Sequence, residues 1–162
     1  MSTESHHSTW VIVFSFIVAM MLEMLPLPFA AIFWQPDWIA LVLIYWSLAL
    51  PQRVGVFVGG SVGIIQDVIT DTILGQHALT LAIQAFLAIN YNRQMRLFPL
   101  WQQALGVFIV IFFAQVFFIW MRGISGQTES DWRFLYPAIS SMLLWPWVYT
   151  GLRDLQRNYH VS

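Results

Sequence analysis

Asp67 is the residue in this chain most able to do chemistry, because it is an acid set among Ile64, Ile65, Val68 and Ile69. An ionised carboxylate at mid-membrane costs at least roughly 2.5–3.5 kcal/mol on insertion scales, so such a residue faces a bundle interior, a cavity or a partner. It belongs to a ladder in Gly55 to Gly75 in which every fourth residue is Gly or Asp: Gly55, Gly59, Gly63, Asp67, Asp71 and Gly75. On a helix, steps of four drift by only about 40°. Gly55, Gly59, Gly63 and Asp67 therefore form one slowly winding stripe, suited to close helix contact with one polar point on it. The stripe serves either packing inside the chain's own bundle or contact with a partner. Gln66 lies beside Asp67 but on another face. Asp71 is expected near the outer interface.

Other groups do not complete a catalytic set. An aspartyl intramembrane protease needs a second membrane acid on another helix and a Gly-x-Gly-Asp context. Gly63-Ile64-Ile65-Gln66-Asp67 fails that spacing. A membrane serine protease needs Ser and His within the bundle, and His77 reads as a helix-start residue at an outer loop. His6-His7 has no further ligand nearby, His-Glu-x-x-His is absent, and there is no Cys, so neither a metal site nor a cofactor is expected. The residues predict no enzyme. Asp67 with Gln66, Gln84, Asn90 and Gln115 could line a path or a ligand cavity, although no inverted repeat of the transporter type is present. Trp145-Pro146-Trp147 predicts a kink and an interface anchor, its two Trp on different faces, with a docking site as the alternative, and Pro36 joins these three as a candidate for helix packing or partner contact.

The elements that must position these groups are apolar helices. The chain has 162 residues, 59% hydrophobic and 9% charged, against roughly 25% charged in soluble domains. The apolar residues come in blocks with charges between them. The segments run from about Trp10 to Leu25, within Ala30 to Leu50, Val54 to Leu74, His77 to Ile89, Leu100 to Trp120 and Phe134 to Leu152. The second and fourth are short. Asn90 to Arg96 and Arg122 to Arg133 read as loops, and Met1 to Thr9 and Arg153 to Ser162 as polar tails. This predicts an all-α polytopic bundle of six transmembrane helices forming a single membrane domain over residues 1–162. All seven basic residues are Arg. With both termini cytoplasmic, Arg53, Arg93, Arg96, Arg153 and Arg157 fall inside and Arg122 and Arg133 outside, as the positive-inside rule favours. Net charge of −1 and no basic run leave no footprint for nucleic acid.

Gln35-Pro36-Asp37-Trp38, Tyr45-Trp46, Leu48 through Val54, Gly63 through Asp67 to Leu74-Gly75, Leu100 through Leu105 and Leu144 through Trp147 together resemble the bacterial MreD family of rod shape-determining proteins, over most of the chain. The resemblance implies a multi-pass component of the cell inner membrane and of the elongasome. It would be a non-enzymatic scaffold or regulator that binds MreC. Through MreC it would connect to MreB, RodA and a class B penicillin-binding transpeptidase, and so help control peptidoglycan synthesis and rod shape. The family also looks distantly like substrate-binding membrane subunits of vitamin transporters. A small-molecule or lipid-binding subunit is therefore the alternative, with a cavity expected around Asp67.

Overall fold

A computed structural model describes residues 4–126 and 132–161. The described residues form six α-helices and two 3-10 turns and contain no strand. The helices are α1 (Glu4–Glu23), α2 (Trp38–Ala49), α3 (Val56–Ile69), α4 (Gln76–Met95), α5 (Leu100–Ile124) and α6 (Tyr136–Asn158). A 3-10 turn at Ile32–Trp34 leads into α2 and another at Trp132–Leu135 into α6. Successive helices run in opposite directions. The C-termini of α1, α3 and α5 thus gather with the N-termini of α2, α4 and α6 at one end, here the acid end. The opposite terminals meet at the arginine end, named for Arg53, Arg93, Arg96, Arg153 and Arg157.

The short α2 is the centre of the fold. Ten of its twelve residues, Ile39 to Leu48, are buried, and it packs against α1, α4, α5 and α6. At 1.5 Å per residue it is only about 18 Å long. An element wrapped by longer helices has no need to match a bilayer itself, which is the physical reason its apolar run is short. Among the described residues, two stretches are long and apolar enough to cross a membrane: Ile32–Ala49 and Leu100–Ile124. Thr9–Glu23 and Val56–Ile69 are shorter apolar helices.

Five boundaries differ from the sequence reading. Helix α1 begins at Glu4 rather than Trp10, because no Pro or Gly interrupts the chain before Pro26. Helix α4 runs to Met95, through the expected loop at Asn90, since polar residues do not stop a helix that lacks a breaker between Gly75 and Pro99. Helix α6 likewise continues to Asn158, into the expected polar tail. Helix α3 stops early, at Ile69, five residues short of Leu74. There the Thr70 hydroxyl turns back to the Gln66 carbonyl at 2.7 Å, and Asp71 takes a left-handed φ of 52°, a conformation short polar side chains tolerate. The expected loop from Arg122 to Arg133 is helical as far as Ile124, and its centre, 127–131, lies outside the described residues.

The outside is apolar and the inside partly polar, the reverse of a soluble domain. Phe57, Leu97, Trp10 and Val68 are exposed, whereas Asp67, Gln84, Ser47 and Ser141 are buried. A surface of this kind is suited to lipid or to other apolar partners.

Helix α3 packs directly onto the backbone of α4, and the glycine ladder makes this possible. A Cβ at Gly63 would lie 2.3 Å from Ala78 Cα, and one at Gly59 would lie 2.8 Å from the Leu81 carbonyl oxygen. Both obstacles are backbone, so neither helix can yield by turning a side chain. At Gly55, the N-cap, a Cβ would meet Ile89 Cδ1 at 3.7 Å and the Pro51 carbonyl oxygen at 3.9 Å, both ordinary contacts, and Gly60 faces open space. Gly63→Ala is expected to lower stability in detergent micelles by about 3 kcal/mol, the upper part of the usual overpacking range. Gly60→Ala should be neutral or stabilising, given about 1 kcal/mol of helix propensity. Equal thermal unfolding of the two variants would contradict this packing.

Candidate functional site

Asp67 sits in the last turn of α3, and the following residues fold back over its carboxylate. Its side chain is fully buried. Oδ1 accepts from the His77 backbone N–H at 2.9 Å and from the Thr72 hydroxyl at 3.0 Å. Oδ2 accepts from the Gly75 N–H at 2.8 Å and from Ala78 N–H at 3.4 Å. His77 Nδ1 lies 2.8 Å from Oδ1. The Asp67 carboxylate therefore caps α4 from the preceding helix. Helix amides Gly75, His77 and Ala78 have no partners within their own helix, and the positive end of the helix dipole faces the acid. Gly75 makes the turn possible with φ of 104°, open to glycine at no steric cost.

The triad-like grouping of Thr72, His77 and Asp67 is not an activated nucleophile. Thr72 Oγ1 lies 3.3 Å from His77 Nδ1, but its proton is directed at Asp67 Oδ1. The same Nδ1 faces Asp67, which can only accept, so this nitrogen carries the proton and cannot take another. Both side chains serve the carboxylate.

Around this knot lies a second layer of caps. Gln35 Nε2 donates to the Leu22 and Glu23 carbonyls at 3.1 and 2.8 Å, closing the C-terminus of α1. Asp37 Oδ1 accepts from Ala40 N–H at 3.0 Å, opening α2, and its own N–H donates to Ser141 Oγ on α6 at 3.0 Å. Gln66 turns away from Asp67 and donates to Glu23 Oε1 at 2.9 Å. At the arginine end, Arg96 Nε donates to the Leu48 carbonyl at 2.7 Å and Nη2 to the Ala49 carbonyl at 2.7 Å. Nη2 also reaches the Leu48 carbonyl. The central helix α2 thus has an acid at its positive end and a guanidinium at its negative end.

Between α1, α2, α4 and α5 at the acid end lies a cavity of about 280 Å³, whose walls include Glu23, Asp37, Gln84 and Gln115. Pro36 is buried in its wall, and Asp67, expected to line such a cavity, does not. The remaining residues singled out in sequence lie elsewhere. Trp145 is buried, its ring 5.8 Å from Tyr149, which in turn meets Tyr45 at 5.6 Å. Pro146 lies inside α6 and Trp147 points outward. Sequence reasoning missed Arg96, Glu23 and the capping roles of Gln35 and Asp37. Pro36-Asp37 ahead of an apolar run is a helix-start pattern that marks Asp37. No local pattern marks the other three. Among the described residues no three His, Asp or Glu side chains converge as metal ligands.

The family model described as rod shape-determining protein MreD matches residues 5–155. The chain belongs to the MreD family. It is 31% identical to the rod shape-determining protein MreD of Haemophilus influenzae over 149 residues, covering 91% of this chain and 92% of that one. No solved structure matches it. Membership makes this a membrane-associated protein of rod-shape determination and places it outside the known enzyme families.

The capping role of Asp67 is open to measurement. Asp67→Ala strands several partly buried amides, and a buried one left unsatisfied costs about 1–3 kcal/mol, so the chain should lose on the order of 3 kcal/mol and α4 should fray at its start. Asp67→Asn, which keeps one acceptor oxygen, should lose about half of that. Hydrogen exchange at Gly75 to Ala78 reports the fraying directly. Unchanged protection in Asp67→Ala would refute the cap.

Proposed function

We propose that this chain is a non-enzymatic scaffold or regulator of the bacterial inner membrane, with six membrane spans and both termini cytoplasmic. It binds MreC, and through it connects to MreB, RodA and a class B penicillin-binding transpeptidase to help control peptidoglycan synthesis along the rod. The observation that carries the reading is the family match across residues 5–155. The geometry adds support: Asp67, Asp37 and Gln35 at the acid end serve as helix caps, and Thr72 and His77 both serve the Asp67 carboxylate.

The partner contact falls on the outward side of α3. The ladder's own face is closed by α4 at Gly59 and Gly63. The opposite side carries Phe57, Ser61, Ile64 and Val68, all exposed, at spacings of four, three and four that align them on one helix face. Ser61 and the neighbouring Gly60 keep part of that face low, which suits close approach by a single-span helix.

Two experiments test the reading. Replacing Phe57, Ile64 and Val68 together by Ala should lower co-purification with MreC at least fivefold at equal membrane level. An undiminished yield would remove α3 as the contact. For topology, the chain lacks Cys, so single-cysteine labelling needs no background removal. An impermeant maleimide should label Ile124→Cys from outside intact inner-membrane spheroplasts, and Arg93→Cys only after permeabilisation. The reverse pattern would invert the proposed orientation.

A further inference from the structure

The cavity at the acid end contains more hydrogen-bonding capacity than the protein uses. Gln84 lies midway along α4 and is fully buried, yet neither Oε1 nor Nε2 has a partner. Leaving an amide unsatisfied in a low-dielectric interior is costly, and Leu at the same place would be cheaper if the position served packing alone. The same condition holds at two facing groups. Glu23 Oε2, at the end of α1, and Gln115 Oε1, on α5, are buried and unpaired. Three helices therefore direct idle polar atoms toward one volume of about 280 Å³. That size is near the lower end of small-molecule sites, about 300 Å³ and upward.

The idle atoms specify the ligand's chemistry. Three are acceptors, Glu23 Oε2, Gln84 Oε1 and Gln115 Oε1, and one is a donor, Gln84 Nε2. Two acids, Glu23 and Asp37, stand in the wall, and no Arg does. His77 Nδ1 is engaged with Asp67. Most of the idle atoms are acceptors, so the cavity's need is for donors. A divalent metal is disfavoured, since the acids and His77 do not converge as a ligand set. Phe118, Ile119 and Ile32 supply an apolar wall for an alkyl portion.

We propose that the cavity bounded by Glu23, Gln84 and Gln115 binds a small cationic group rich in N–H donors, an ammonium or guanidinium with a short alkyl part. Two sources carry that chemistry: a free amine, or the ethanolamine headgroup of a phospholipid entering from the bundle's edge. This site is separate from the α3 face assigned above to a partner helix, and its occupancy is measurable on the chain alone.

The test uses the purified full chain. In detergent free of aminolipid, thermal unfolding and calorimetry are followed with n-butylammonium and N-butylguanidinium, with n-butanol as the neutral control. In nanodiscs of mixed phosphatidylethanolamine and phosphatidylcholine, native mass spectrometry measures which lipid the chain retains. Saturable binding of either cation but not of butanol identifies a site open to free amines. Selective retention of phosphatidylethanolamine without cation binding identifies the headgroup as the ligand. Either result supports the site only if Gln84→Leu and Glu23→Gln each weaken it at least tenfold. Gln84→Leu should unfold at an equal or higher temperature without ligand, because it removes unsatisfied polar atoms, and Gln115→Leu provides a second folded variant. The proposal fails if neither cation nor lipid binds selectively, leaving the cavity to water, or if binding survives in Gln84→Leu and Gln115→Leu.

Discussion

The Asp67 carboxylate over the first amides of α4 is the interaction on which the rest of the structure depends. It ends one helix and begins the next, reaching His77 ten positions on. Without it, the start of α4 would present bare N–H groups inside an apolar bundle, where water does not compensate them. The glycine ladder is the other half of the same device. Because Gly59 and Gly63 have no side chains, α3 comes down onto the backbone of α4 at Leu81 and Ala78, and the acid four residues beyond Gly63 is brought over the α4 terminus. Close packing and electrostatic capping are two results of one spacing.

The same logic recurs wherever a helix ends inside the bundle. Asp37 and Arg96 hold the two ends of α2, the helix with least access to solvent, and Gln35 closes α1. In a soluble domain those ends would fray into water. Here the outer surface is largely apolar, so long side chains from other helices satisfy them. Most of the charged and amide residues that first suggest chemistry are structural for this reason. Their placement also makes the bundle cooperative, because each cap ties together segments distant in sequence: 48 residues separate Arg96 from Leu48 and 104 separate Asp37 from Ser141.

Against that background the exceptions carry functional meaning. Other buried polar atoms also lack a partner, but Gln84, Glu23 and Gln115 leave theirs idle around a common volume. The outward side of α3 is exposed on a helix whose inner side is packed as closely as backbone allows. A closely packed α3–α4 pair with one face free is the basis of the partner contact proposed above.

Sequence alone determined much of this. Blocks of apolar residues, punctuated by Pro26, Pro28, Pro51 and Pro99, specify an all-helical chain, since Pro and charge stop apolar helices through local physics. The four-residue spacing of Gly55, Gly59, Gly63 and Asp67 specifies a contact stripe, because helical periodicity decides which residues share a face. Periodicity says nothing of what lies against that face, so only the tertiary structure decided that α4 fills it. The early end of α3 and the extension of α4 past Asn90 also escaped the sequence: a helix end inside a bundle is set by whichever distant group can cap it. Arg96 and Glu23 were illegible for the same reason. Their roles depend on carbonyls and amides tens of residues away, and only folding brings those within the 3 Å reach of a hydrogen bond.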